Sequence, residues 1–111
     1  MKSENNQKYV YFVSAFHMVQ CGYFKVGITS NYKTRLQQIQ SGSPFKIIAI
    51  SIVTHSNPIY LEQAVLEEFK TYRIRGEWFC VYGDNIKDQS IEFEKQVKAY
   101  MEENADGNII K

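Results

Sequence analysis

The chain has 111 residues, of which 44% are hydrophobic and 23% are charged, which fits one ordinary globular domain and argues against a disordered chain. No apolar run approaches the roughly 20 residues that a membrane-spanning helix needs. The net charge is +1, but it is unevenly distributed. Residues 1–57 carry six Lys or Arg and one acidic residue, a net charge of +5, whereas residues 58–111 carry seven Lys or Arg and eleven acidic residues, a net charge of −4. This distribution excludes a uniformly basic nucleic-acid coat and predicts that any polyanion contacts the first half.

Apolar periodicity predicts five main elements and a tail helix. In chain order they are strands over 8–14 and 23–28, a helix capped by Ser30 or Asn31 and ended by 41–44, a strand over 45–54, a helix over 58–72, and a tail helix over about 87–103. The first two strands are close enough to form an antiparallel hairpin. The nearly continuous apolar run at 45–54 suits a central strand.

The domain boundaries follow from the same pattern. We expect a flexible N-terminus over residues 1–8, a single domain over 9–103 and a flexible C-terminus over 104–111. The N-terminus is polar and has no signal-peptide core, and the two cysteines form no CxxC pair. We therefore expect an intracellular protein, located in the cytoplasm or nucleoid, or in the nucleus of a eukaryote.

Glu62 stands out within the helix predicted over 58–72. At about 100° per residue, Leu61, Val65 and Phe69 define an apolar arc, and Glu62 falls inside it. A carboxylate that faces a core is costly unless it is paired, protonated or bound to metal. The pattern alone favours two interpretations equally, a buried ion pair with an arginine and a functional site.

Four further positions are candidates for chemistry. Arg35 flanks the apolar stripe of the first helix, where it can extend to the surface or bind a phosphate in bidentate fashion. Tyr11 and Lys25 lie in neighbouring predicted strands; on one face they would form a phenol–ammonium pair suited to a general base, and otherwise they belong to a solvated sheet face. Gly27 allows a close approach of backbone or ligand.

These residues occur in an order that resembles a known family. The segments are Tyr9–Tyr11, Lys25–Gly27, Arg35 eight residues later, Leu61–Glu62 and Arg75–Phe79. The ordered set, over residues 9–81, resembles the GIY-YIG nuclease domain, particularly the compact branch found in phage open reading frames and in meiotically up-regulated gene products. The motif core is thus expected over 9–81.

The resemblance implies both a fold and an activity. The implied fold is α/β (α+β), with a small three-stranded antiparallel sheet flanked by helices in the order β-β-α-β-α plus a C-terminal helix. The implied activity is metal-dependent hydrolysis of a DNA phosphodiester bond. Tyr11 would activate water with help from Lys25, Arg35 would neutralise a phosphoryl oxygen, and Glu62 would be the sole protein ligand of one Mg²⁺ or Mn²⁺ ion.

DNA is the expected partner, bound weakly and largely without sequence preference. The candidate basic patch is Lys25, Lys33, Arg35 and Lys46. No membrane and no nucleotide cofactor are expected, and the oligomeric state stays open. Two alternatives remain: a non-catalytic module of this fold that binds nucleic acid or protein, and a structural domain with an internal Glu62–Arg35 ion pair.

Overall fold

The computed structural model describes residues 8–15 and 21–111. Within these residues the chain forms one five-stranded antiparallel sheet and three α-helices. The elements are β1 (Tyr9–Ala15), β2 (Cys21–Thr29), α1 (Tyr32–Ser41), β3 (Ile47–Thr54), α2 (Pro58–Glu68), a 3₁₀ turn (Lys70–Tyr72), β4 (Arg73–Arg75), β5 (Trp78–Tyr82) and α3 (Ile86–Asn104).

The strand order in the sheet is β3-β1-β2-β5-β4, and each neighbouring pair is antiparallel. The predicted β1–β2 hairpin and the α+β class are confirmed, but the prediction of a three-stranded sheet is wrong. It missed β4 and β5 because both are short, and β4 reads Arg-Ile-Arg, without an apolar alternation. Gly76 joins these two strands with a φ of 55°, in the left-handed region that glycine adopts without strain.

The apolar strand β3 was predicted to be central in the sheet. It lies instead at one end of the strand order. Its composition has another cause: Ile52 packs into one core cluster and Val53 into the other, so both faces are covered. Residues 104–111, predicted as a flexible end, include a segment that hydrogen-bonds along β3. Ile110 N donates to Ile52 O at 2.8 Å, and Ile52 N donates to the Lys111 carbonyl at 3.1 Å.

Helices cover both faces of the sheet. On one side, α2 and α3 pack on β1, β2 and β5 through the larger core, in which Phe12, Phe24 and Phe93 contact one another. On the other side, α1 packs on β1 and β3 through a smaller core around Tyr11 and Ile52. The molecule therefore has three layers, and on the α1 side of β2 and β5 Tyr23 and Tyr82 are exposed whereas Lys25 and Cys80 are buried.

Asparagine caps begin two of the helices. Asn31 Oδ1 accepts from Thr34 N at 3.1 Å, and Asn57 Oδ1 accepts from Tyr60 N at 3.3 Å, which satisfies backbone donors of the first turn. α2 ends at Glu68 rather than at the predicted residue 72, because the chain tightens there into the 3₁₀ turn. Within the residues described, no helix has the length and apolarity required to cross a membrane.

Candidate functional site

Tyr11, Gly27 and Arg35 meet on the α1 side of the sheet. Tyr11 is 1% exposed, and its register partner on β2 is Gly27. A side chain at Gly27 would overlap the Tyr11 ring and its phenol oxygen, so the glycine is required for this close approach. Arg35 Nε, from α1, donates a hydrogen bond to Tyr11 Oη at 3.3 Å. The cation that contacts the phenol is therefore Arg35.

Lys25 lies on the same face as Tyr11. It pairs with Val13, which is two residues from Tyr11 and therefore points to the same side. Lys25 is 9% exposed, and its Nζ lies 2.8 Å from Glu77 Oε1. The same ammonium lies 5.4 Å from the ring centroid of Trp78. Its described contacts are thus with Glu77 and Trp78.

Glu62 projects from α2 and is 5% exposed. One oxygen, Oε1, accepts from Gln63 Nε2 at 3.3 Å, whereas Oε2 is buried and accepts no hydrogen bond from the described residues. The Glu77 carboxyl lies close enough to share a proton with Glu62. Burial, followed by the neighbouring Glu77 carboxyl, raises the pKa of Glu62 to about 7, and Lys25 opposes this rise. Such a group binds a proton or a cation readily near neutral pH.

Glu77 completes the arrangement, and sequence reasoning did not select it as a site residue. Burial alone would raise the pKa of Glu77, but the Lys25 ammonium, Glu62 and Arg35 together lower it below its usual range. The only sequence signal was its place in the Arg75–Phe79 motif. Its position depends on the pairing of Lys25 with Trp78, which brings Lys25 and Glu77, 52 positions apart, into contact.

We call Tyr11, Lys25, Arg35, Glu62 and Glu77 the charged cluster. Its members come from β1, β2, α1, α2 and the turn before β5, and α1 and α2 lie on opposite sides of the sheet. Electrostatic interactions link Glu62 to Glu77 and Lys25, and Glu77 to Arg35.

The predicted internal ion pair between Glu62 and Arg35 has no support in the described contacts. Arg35 hydrogen-bonds to Tyr11 and to Gln38 Oε1, and Oε2 of Glu62 lacks a partner within the part of the chain that the structure covers.

The other two residues of the predicted basic patch lie outside the cluster. Lys33 is exposed on α1, near the helix start. Lys46 is exposed just before β3, at the end of the sheet where Ala15 pairs with Ile47.

The carboxylates suit a hard divalent cation. Glu62 offers a buried oxygen without a partner, and Glu77 supplies a second carboxylate beside it. Oxygen ligands of this type are those that Mg²⁺ and Mn²⁺ prefer. Across residues 8–15 and 21–111, no group of three or more His, Cys, Asp or Glu side chains that could hold a metal ion occurs. A cation here would keep most of its water ligands.

The chain matches the model of a known protein family. The family model of the T5orf172 domain matches residues 8–103. No curated protein and no solved structure matches the chain significantly. The assignment to the GIY-YIG nuclease domain is therefore wrong: the segments that suggested it are each two to five residues long, too short to identify a family. The match agrees with a nucleic-acid-related role.

Proposed function

Because the chain belongs to the T5orf172 domain family, we propose that it acts on DNA and hydrolyses phosphodiester bonds at the charged cluster with the help of a divalent metal ion. The observation that supports this most directly is the buried Oε2 of Glu62, which accepts no hydrogen bond from the described residues and lies beside Glu77. A buried carboxylate oxygen costs free energy unless it is paired, protonated or bound to a cation.

Glu62 and Glu77 would hold one Mg²⁺ or Mn²⁺ ion. The sequence predicted Glu62 as the sole protein ligand; the closeness of the Glu77 carboxyl to Glu62 supports Glu77 as a second one. When bound, the ion would supply Lewis-acid stabilisation of negative charge on the phosphoryl group. Lys25, hydrogen-bonded to Glu77 at 2.8 Å, would fix the orientation of that carboxylate.

Tyr11 and Arg35 would act on the other side of the scissile group. The hydrogen bond from Arg35 Nε orients Tyr11 Oη, and in its phenolate form this oxygen would take the proton from the attacking water and become the neutral phenol. Arg35 is partly exposed, so a phosphate that reaches its guanidinium also comes near Tyr11 Oη. There the guanidinium would neutralise a non-bridging phosphoryl oxygen.

Nicking of supercoiled plasmid in the presence of Mg²⁺ or Mn²⁺ tests the proposal. Wild-type protein should convert the plasmid to nicked or linear forms, and Glu62→Gln should abolish the conversion while the fold is retained. Glu67→Gln is the matched control, because Glu67 is an exposed carboxylate of the same helix. Tyr11→Phe should slow cleavage by about 10²–10⁴-fold, the effect of losing a general base. Cleavage by Glu62→Gln at the wild-type rate would refute the site.

Binding of nucleic acid without hydrolysis is a second candidate function. The observation that favours it is the Lys25–Glu77 ion pair, which neutralises both side chains without any ligand. In that case the plasmid would bind and remain supercoiled with either metal, and Glu62→Gln would behave like the wild type.

A further inference from the structure

The α1 side of the sheet has a second part beyond the charged cluster. α1 packs on β1 and β3, and α2 and α3 pack on the opposite face. The rest of the α1 side, formed by β2, β5 and β4, carries aromatic and basic side chains. We call this the aromatic face, and it comprises Tyr23, Lys25, Arg75, Trp78 and Tyr82.

Trp78 lies between two cations on the aromatic face. Its register partner on β2 is Lys25, and its partner on β4 is Arg75, so the three side chains form a row across neighbouring strands. Lys25 Nζ lies 5.4 Å from the Trp78 ring centroid, and Arg75 is exposed. This row connects the aromatic face directly to the charged cluster, which shares Lys25.

Tyr82 extends the aromatic face along β5. It lies four residues after Trp78 and therefore on the same side of the strand, roughly 13 Å further on at about 3.3 Å per residue. Tyr82 is 71% exposed, an unusual state for a large aromatic residue on a strand. Tyr23 is 38% exposed and pairs with Cys80, midway between Trp78 and Tyr82. The three aromatic residues thus follow one line away from the cluster.

Aromatic rings interleaved with cations are the means by which proteins bind unpaired nucleic acid. Bases stack on the rings without regard to sequence, while Lys and Arg neutralise the phosphates. In a duplex the faces of the bases are already stacked on each other, so such a surface favours a single strand. Arg75, exposed beside Trp78, and Arg35, partly exposed at the charged cluster, match the charge of a DNA backbone.

We propose that the aromatic face binds unpaired DNA and leads it into the charged cluster, so that single-stranded DNA, or a duplex with an unpaired segment, is the preferred substrate. The inference rests on the proposed function of the cluster. Bases would stack on Trp78 and Tyr82, and Arg75 would contact phosphate.

Fluorescence of Trp78 provides a direct test, because it is the only tryptophan in the chain. The full chain is titrated in EDTA, which prevents metal-dependent cleavage, with a short oligothymidylate, with the same strand annealed to its complement, and with the RNA of the same sequence. The single DNA strand should quench the fluorescence and bind more tightly than the duplex or the RNA. Equal or tighter binding of the duplex, or tighter binding of the RNA, would overturn the proposal.

Substitution of Tyr82 locates the binding surface. Tyr82→Ala should weaken binding of the single strand by about 5- to 150-fold, the loss expected for one base–aromatic stack. Tyr60→Ala is the matched control, since Tyr60 is a similarly exposed tyrosine on α2, and it should leave the affinity unchanged. Arg75→Gln should reduce the slope of log affinity against log salt by about 0.7. Unchanged affinity in Tyr82→Ala would overturn the proposal.

The binding assay and the cleavage assay can each refute one proposal without refuting the other. Preferential binding of the single strand in EDTA, with no cleavage in Mg²⁺ or Mn²⁺, would refute the hydrolytic function and leave the aromatic face as the binding surface. Cleavage with equal affinity for single strand and duplex would refute the aromatic face and leave the hydrolytic function.

Discussion

Glu62→Gln should stabilise the metal-free protein at alkaline pH and leave its stability unchanged at acidic pH. Burial and Glu77 raise the pKa of Glu62 from 4.5 to about 7 in the folded state. The folded protein therefore binds the proton more tightly than the unfolded chain, and stability falls as the pH rises between these values. At about 1.4 kcal/mol per pKa unit, ionised Glu62 costs about 3 kcal/mol above pH 7.

Glutamine has nearly the same shape and no charge, so it avoids this cost. Denaturant unfolding of both proteins in EDTA, at about pH 4.5 and about pH 8, measures the difference. Glu62→Gln should equal the wild type at the lower pH and exceed it by up to about 3 kcal/mol at the higher pH. Glu67→Gln, at an exposed position of α2, should show no such difference. A gap of the same size at both pH values would show that Glu62 does not carry a buried charge.

Two further predictions concern stability, with Gly42→Ala as a control, and a third concerns self-association. Gly27→Ala places a methyl group against the Tyr11 ring, with Cε2 only 2.9 Å away, and should destabilise the fold by about 1–3 kcal/mol in denaturant unfolding. Gly42→Ala, whose nearest neighbour would be 3.7 Å away, should stay within about 0.5 kcal/mol of the wild type. Asn57→Ala removes the cap of α2 and should cost about 1 kcal/mol by the same measurement. Deletion of residues 108–111 exposes the edge of β3 and should increase self-association, measured by sedimentation; an unchanged sedimentation profile would contradict this.

Local periodicity was enough to find most of the charged cluster. Helical spacing placed Glu62 in the apolar arc of its helix, and the structure buries it to 5% exposure. Strand alternation assigned Tyr11 and Lys25 each to one side of its strand, and the register of the hairpin puts these two sides on the same face of the sheet. Gly27 was expected to permit a close approach, and Tyr11 occupies that space. Each of these predictions depends on a periodicity within one helix or one hairpin, so residues close in sequence were enough to make it.

Long-range pairing accounts for what the sequence did not predict. Glu77 joins the cluster only because β5 pairs with β2, and β5 has five residues, too few for a clear pattern. The sequence did not reveal that β3 lies at one end of the strand order. The same apolar run is expected for a central strand and for an outer strand that is covered by the C-terminal segment. The family assignment was wrong for a related reason. Short motifs reflect local geometry, and different families can share the same local geometry.

The rate at which an oligonucleotide is cleaved under single-turnover conditions, as a function of Mn²⁺ concentration, tests the central claim most directly. The wild type and Glu67→Gln should show a rate that rises with Mn²⁺ and saturates. Glu62→Gln should show no metal-dependent rate at any concentration, because the buried oxygen that would bind the ion is replaced. Saturating, metal-dependent cleavage by Glu62→Gln, or cleavage by the wild type that persists in EDTA, would contradict the account.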